Sequence, residues 1–211
     1  MTTLTADIIH DLNSLATPLI SDVMARMVGI KGLQAYHKPA KLIGTALTVK
    51  TRPGDNLYLY KALAQVRPGE VIVIDGGGDD NNALLGEIIK RYAQSKGCSG
   101  FIVDGAIRDI GAFGNDTFPC YARSHIHRGP YKTGPGQLRT AVSIGGQVVN
   151  NGDIIVGDED GIVVIPPEQL REVITAAQAK DKVEQEMMAE IASGREQQNW
   201  LDSILIAGGI K

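Results

Sequence analysis

The chain has 211 residues, which is enough to bury one ordinary core and is read here as a single domain over residues 1–211. A hydrophobic share of 43%, a charged share of 21% and nine prolines exclude a disordered or fibrous chain. Twenty-one basic residues against 24 acidic ones leave a formal charge of -3. That leaves no broad cationic surface for phosphates, so no direct nucleic-acid partner is expected.

In chain order, Thr5 to Arg26 carries apolar residues at helical spacing, with Thr17-Pro18 as a break, which predicts two short opening helices. From Lys41 the texture changes to β-branched runs between glycines and prolines. The predicted strands are Leu42 to Thr51, Val71 to Ile74, Phe101 to Val103, Ala141 to Ile144, Gln147 to Val149 and Ile154 to Ile165. Between them, Leu57 to Val66 and Asn82 to Lys96 return to helical spacing, and after Pro166-Pro167 the tail from 168 to 193 reads as one long amphipathic helix. Ala141 to Ile165 leaves no room for helices between strands, which argues for a mixed α/β sandwich over a doubly wound dinucleotide fold. No run approaches the roughly 20 apolar residues of a membrane span. Met1 to His10 lacks a signal-peptide pattern, so a cytoplasmic location away from membranes is expected. Cys98 and Cys120 lack metal-ligand spacing and are expected to be reduced, partly buried thiols.

The densest chemistry lies in IDGGGDDNNALLGEIIKRYAQSKGCSGFIVDGAIRDI, from Ile74 to Ile110. Gly76 to Gly78 permit positive φ, and Asp79, Asp80, Asn81 and Asn82 are good N-caps for a following helix. Its unpaired N–H groups would then offer a small anion a site near Leu84, Leu85, Gly86 and Glu87. The glycines fit neither GxGxxG nor the phosphate loop. Further on, a short apolar strand delivers Asp104-Gly105 and then Arg108-Asp109 onto a turn.

Gly86-Glu87, twenty intervening residues and Arg108-Asp109 are similar to the acidic-x20-Arg-Asp signature of the class II pyruvate aldolases. These are the 4-hydroxy-4-methyl-2-oxoglutarate/4-carboxy-4-hydroxy-2-oxoadipate aldolases, related to regulator of ribonuclease activity A. ALLGEI, GFIVDGAIRD, PGDNL (Pro53 to Leu57) and GDEDGIVVIPPE (Gly157 to Glu168) resemble that family in the same order, so the likeness covers most of the chain. The resemblance implies a layered β/β/α swivelling-domain-like sandwich of the ribonuclease-regulator type, assembled as a homotrimer or homohexamer. It implies magnesium or manganese held by Asp109, with water and substrate oxygens completing a hard, octahedral shell. Arg108 would touch the keto oxygen of bound pyruvate, and main-chain N–H groups over Leu84 to Glu87 would hold the pyruvate carboxylate. Glu87 would orient or deprotonate a water on the metal. A glutamate from the C-terminal helix (168–193) of a neighbouring subunit would join the site, with Glu184 the best match and Glu186 next.

The implied reaction is cleavage of 4-hydroxy-2-oxo di- or tricarboxylic acids to pyruvate and a second keto acid, with oxaloacetate decarboxylation as a side activity. A non-enzymatic regulator that binds a ribonuclease is the alternative within the same resemblance. Asp104 is expected to brace its turn or Arg108, and Asp55 and Asn56 to hold the site loop through side-chain to backbone hydrogen bonds. The HxH pair His125 and His127 would sit on one side of an extended chain near the site mouth.

Overall fold

The N-terminal helical spacing forms α1 (Ala6–Ser14) and α2 (Thr17–Val23) in the structure, a computed structural model that describes residues 4–195 and 198–210. The Thr5 hydroxyl accepts the Ile8 N–H at 3.4 Å to cap α1, and Pro18 lies in the first turn of α2, where no helical partner for an N–H is lost. There follow β1 (Gln34–Ala35), β2 (Leu42–Thr51), α3 (Leu57–Leu63), β3 (Glu70–Leu85), α4 (Glu87–Ser95), β4 (Gly100–Ile107), α5 (Ile110–Gly114) and β5 (Cys120–His125). Three short strands come next, β6 (Gly136–Leu138), β7 (Val142–Ile144) and β8 (Gln147–Val149), then β9 (Ile154–Asp158) and β10 (Gly161–Ile165). The main sheet runs β1-β5-β4-β3-β2-β9-β10, with β6 paired to β2, and β7-β8 is a separate hairpin.

Strands β2, β3, β4 and β5 pair in parallel, with α3, α4 and α5 as their connections, a local arrangement that the hairpin-rich later sequence did not suggest. These strands read as unbroken apolar runs because both faces are buried. Ile72, Ile74, Phe101 and Val103 face a core with Leu59 and Leu63 of α3 and Ile89 of α4. Their neighbours Val71, Val73 and Ile102 face Val142, Ile144 and Val149 of the hairpin. Helices, central sheet and hairpin therefore form the α/β/β layers expected. A third cluster packs α1 and α2 against β9 and β10 with Leu170, Val173 and Ile174.

One boundary differs from the expectation, and it lies at the candidate site. Asn82 to Leu85 is strand, not helix, so Asp79, Asp80, Asn81 and Asn82 cap nothing. β3 keeps pairing with β4 through shifts in register (Asp79 with Gly105, Ala83 with Ala106, Leu85 with Ile107), so its backbone is satisfied by a neighbour rather than by a helical turn. Gly77 and Gly78, at φ 69° and 71°, supply the left-handed steps of that bulge.

After a 3-10 turn at Pro167–Gln169, α6 (Leu170–Ala192) buries only Leu170, Val173, Ile174 and Ala177, all in its first half. α7 (Asn199–Ala207), which the residue pattern did not predict, has no buried residue. Val183, Met188, Ile191, Ile204, Ile206 and Ile210 of this tail are at least half exposed or close to it, from 48% to 75%.

Candidate active site

Parallel strands end on one edge, and four of this chain's strands deliver their following residues there. β3 ends at Leu85 and passes through Gly86 into α4; β4 ends at Ile107 and passes through Arg108-Asp109 into α5; β5 ends at His125. The Arg108 N–H donates to the Leu85 carbonyl at 2.9 Å and so locks the two exits together. Asp109 then turns through the left-handed region (φ 56°, ψ 39°), a conformation that aspartate tolerates better than most residues. Its Oδ2 accepts the Glu87 N–H at 3.0 Å, so the carboxylate sits on the positive end of α4. Arg108 Nε lies 3.7 Å from the same oxygen, and both side chains are a little over 40% exposed, at 42% and 44%.

Gly86 is a matter of space. A Cβ there would lie 2.3 Å from Asp109 Oδ2 and 2.8 Å from Arg108 Cγ, so only glycine allows the pair to approach the helix start. Gly129 has a milder version of the same constraint, 3.2 Å from a guanidinium nitrogen of Arg108.

Leu84, Leu85, Gly86, Ile88, Arg108 and Asp109 line a cleft of about 60 Å3 together with Asn56, Tyr60, Pro130 and Lys132. The residues Leu84, Leu85, Gly86, Arg108 and Asp109, singled out from the sequence, are thus in one place. Glu87 contributes its N–H, while its carboxylate pairs with Arg91 one turn later, at 2.6 and 2.8 Å. Glu184 is elsewhere: it lies on α6, where Lys180 bridges it to Asp22 at 3.0 Å on each side. Glu186 lies on the same helix and likewise does not line the cleft.

Loops are tied to this edge by buried polar groups. Asp55 is fully buried; its Oδ1 accepts the Leu57 N–H at 2.9 Å and its Oδ2 accepts the Thr133 and Gly134 N–H groups at 2.7 and 2.9 Å. Burial pushes this carboxyl up, but the three N–H donors and the Thr133 hydroxyl outweigh it and hold the pKa below 3.8. Asn56 donates to the Leu84 carbonyl at 2.8 Å, while its own buried oxygen has no partner among the described residues. Both residues do hold the site loop. Asp104 does not brace Arg108: its carboxylate is bound by Arg123, with Nε at 2.6 Å, because β4 and β5 stand side by side while Arg108 has already turned off the strand.

Sequence reasoning missed Lys90, Asp116, Tyr60 and Lys132. Lys90 is buried inside α4 and donates to the Ala112 carbonyl at 2.6 Å and to Asp116 at 2.5 Å, clamping α4 to α5 across the site. That bond holds the Asp116 carboxyl down at about 2. A lysine at a helix position facing apolar neighbours was the available signal. Tyr60 and Lys132 belong to segments far apart in sequence and left none.

His37 is structural, its ring held by the Cys120 backbone at 3.2 Å and lowered in pKa by burial. Both cysteines are free and buried, with burial pushing Cys98 up to about 11 and Cys120 further.

The site sets a carboxylate beside a guanidinium at the start of α4. Among the described residues no cluster of three His, Cys, Asp or Glu side chains is placed to chelate a metal. A metal would rest on Asp109, whose Oδ1 takes no hydrogen bond among the described residues. One half-exposed carboxylate suits a hard ion that keeps most of its waters. No helix is long and apolar enough to cross a membrane among the described residues.

Comparisons with known proteins bear on the same region. The family described as RraA-like, Aldolase/RraA, matches residues 17–164. A protein of Halalkalibacterium halodurans named "Putative 4-hydroxy-4-methyl-2-oxoglutarate aldolase" is 39% identical over 178 residues, 82% of this chain and 83% of that one. An uncharacterized protein of Pseudomonas syringae pv. tomato superposes with TM-score 0.83 at 26% identity over 92% of both chains. The RNA-processing inhibitor RraA of Thermus thermophilis superposes with TM-score 0.66 at 28% identity, over 72% of this chain and 92% of that one.

Proposed function

Since the chain belongs to the RraA-like Aldolase/RraA family, we propose that it is a divalent-metal-dependent carbon–carbon lyase acting on 4-hydroxy-2-oxo di- or tricarboxylic acids. The products are pyruvate and a second keto acid, and oxaloacetate is decarboxylated through the same enolate. The observation that carries this reading is the adjacency of Arg108 and Asp109 at the start of α4, both lining one small cleft.

Magnesium or manganese, held by Asp109, supplies Lewis acidity toward the 2-keto group when bound. Arg108 donates to the keto oxygen, where negative charge grows as the bond between C3 and C4 breaks. N–H groups at the start of α4 other than that of Glu87 orient the pyruvyl carboxylate, and Leu84 and Leu85 line the cleft beside it. The C4 hydroxyl loses its proton as C4 becomes a carbonyl, the bonding pair passes to the enolate, and C3 takes a proton to give the methyl group of pyruvate. Glu87 is assigned the proton transfer, which requires its carboxylate to exchange Arg91 for the site.

Assembly is part of the proposal. The second half of α6 and all of α7 carry apolar side chains that this chain leaves uncovered, and Ile88 beside the cleft is 79% exposed. Packing of these surfaces between copies, as a trimer or hexamer, would bring Glu184 or Glu186 of one subunit to the cleft of the next. The same exposed surface favours a second reading, a non-enzymatic regulator that binds a ribonuclease and shares the family's fold.

Pyruvate release from 4-carboxy-4-hydroxy-2-oxoadipate and from oxaloacetate, coupled to lactate dehydrogenase, separates the two. The lyase reading expects release with magnesium or manganese, none with chelator, and a loss of about 100-fold or more in Arg108→Ala. Normal turnover in that variant overturns the mechanism. No release by the assembled protein, with tight binding of ribonuclease E, supports the regulator.

A further inference from the structure

The Arg108 and Asp109 pair stands between two spaces of unequal size. A second cleft shares only these two residues with the first; its other walls are Ile110, His125, Ile126 and His127. It is an open depression of about 380 Å3, against about 60 Å3 for the first. We propose that this second cleft receives the departing half of the substrate, and that His125 and His127 select a carboxylate-bearing keto acid there.

The proposal rests on the lyase reading and follows from its geometry. The smaller cleft is assigned the pyruvyl half, with its keto oxygen at Arg108. Atoms beyond the scissile bond can then extend past Arg108 and Asp109, the two residues that line both clefts. The histidine segment is fixed against that exit. His125 is in register with Ile107, the residue before Arg108, and the Ile126 N–H donates to the Ile107 carbonyl at 2.9 Å. His125 ends β5 and His127 lies in the bend just after it, and both line the second cleft.

The ring of His125 is also oriented. Its Nδ1 lies 3.2 Å from the Tyr36 hydroxyl, and the rings meet edge to face at 5.7 Å. This hydrogen bond, whose donor is set by the imidazole tautomer, fixes the plane of the ring. With Nδ1 engaged by Tyr36, Nε2 is the ring nitrogen left to meet a ligand. Arg108, with its fixed fork of donors, serves both clefts, while Ile110 and Ile126 provide apolar walls that strengthen those bonds by limiting water.

The test compares kcat/KM for 4-carboxy-4-hydroxy-2-oxoadipate with kcat/KM for oxaloacetate, whose C4 carboxylate is itself the group that leaves, as carbon dioxide, and which has no further carboxylate beyond it to reach the second cleft. Full-length assembled wild type, His127→Ala, His125→Ala and His125→Gln are measured with magnesium. His127 is exposed and takes no hydrogen bond among the described residues, so His127→Ala keeps the test alive if loss of the Tyr36 contact unfolds the His125 variants. The expected result is a fall of tenfold or more in the ratio of the two specificity constants, carried by KM, with partial recovery in His125→Gln. An unchanged ratio, or a parallel fall for both substrates, overturns the proposal. A wild type that releases pyruvate from neither compound removes the lyase reading itself and this inference with it.

Discussion

Replacing Asp55 by alanine tests how the loops at the site are held. Asp55→Ala removes the acceptor of three main-chain N–H groups, those of Leu57, Thr133 and Gly134, in a position with no solvent access. Each hydrogen bond to a charged acceptor contributes about 1.5–3 kcal/mol, and orphaned buried donors add their desolvation penalty. The small cavity admits some water, so the total is set at about 3–5 kcal/mol rather than the full sum. For a chain of this length each kcal/mol lowers Tm by about 2–4 °C, so a fall of roughly 10 °C is expected. Thermal unfolding followed by circular dichroism, at one protein concentration so that assembly is held constant, reads it.

Acid gives a second readout. The folded pKa of Asp55 lies below 3.8, so its contribution is complete above the unfolded value and disappears as pH falls through the folded one. The gap in Tm between wild type and Asp55→Ala must narrow below about pH 4. A shift under about 3 °C at pH 7, or a gap that is flat through the acid range, refutes the reasoning that this carboxylate anchors both loops.

Gly86→Ala places a Cβ 2.3 Å from Asp109 Oδ2, so pyruvate release should fall at least tenfold, with Tm moving by only a few degrees; a fully active variant would show that the pair has room to shift. Asp116→Ala leaves Lys90 buried with one carbonyl partner and should cost about 2 kcal/mol at pH 7, a value discounted because Asp116 is 35% exposed. Its folded pKa of about 2 against an ordinary 3.8 confines the loss of this contribution to that acid window, so equal denaturant midpoints for variant and wild type at pH 7 would dismiss the clamp.

Local elements were legible in the order of residues alone. Helical spacing found α1, α2, α3 and α6, and β-branched runs found the interior strands, because those patterns are imposed residue by residue. Gly86-Glu87 and Arg108-Asp109 stood out through their resemblance to the aldolase signature, since an Arg-Asp pair by itself reads as a surface ion pair. The parallel pairing of β2 to β5 did not, because strands buried on both faces show no alternation that distinguishes neighbours. Nor did the extension of β3 to Leu85, since capping residues favour a helix start locally and lose only when β4 offers its backbone instead. β5 and the short α7 also escaped, the first because CYARSH mixes apolar and charged residues. It took the folded arrangement to assign Asp104 to Arg123, to make Asp55 join two loops 78 residues apart, and to open the histidines onto Arg108 and Asp109. Those are contacts between segments remote in sequence, and no local propensity encodes which remote partner a side chain will meet.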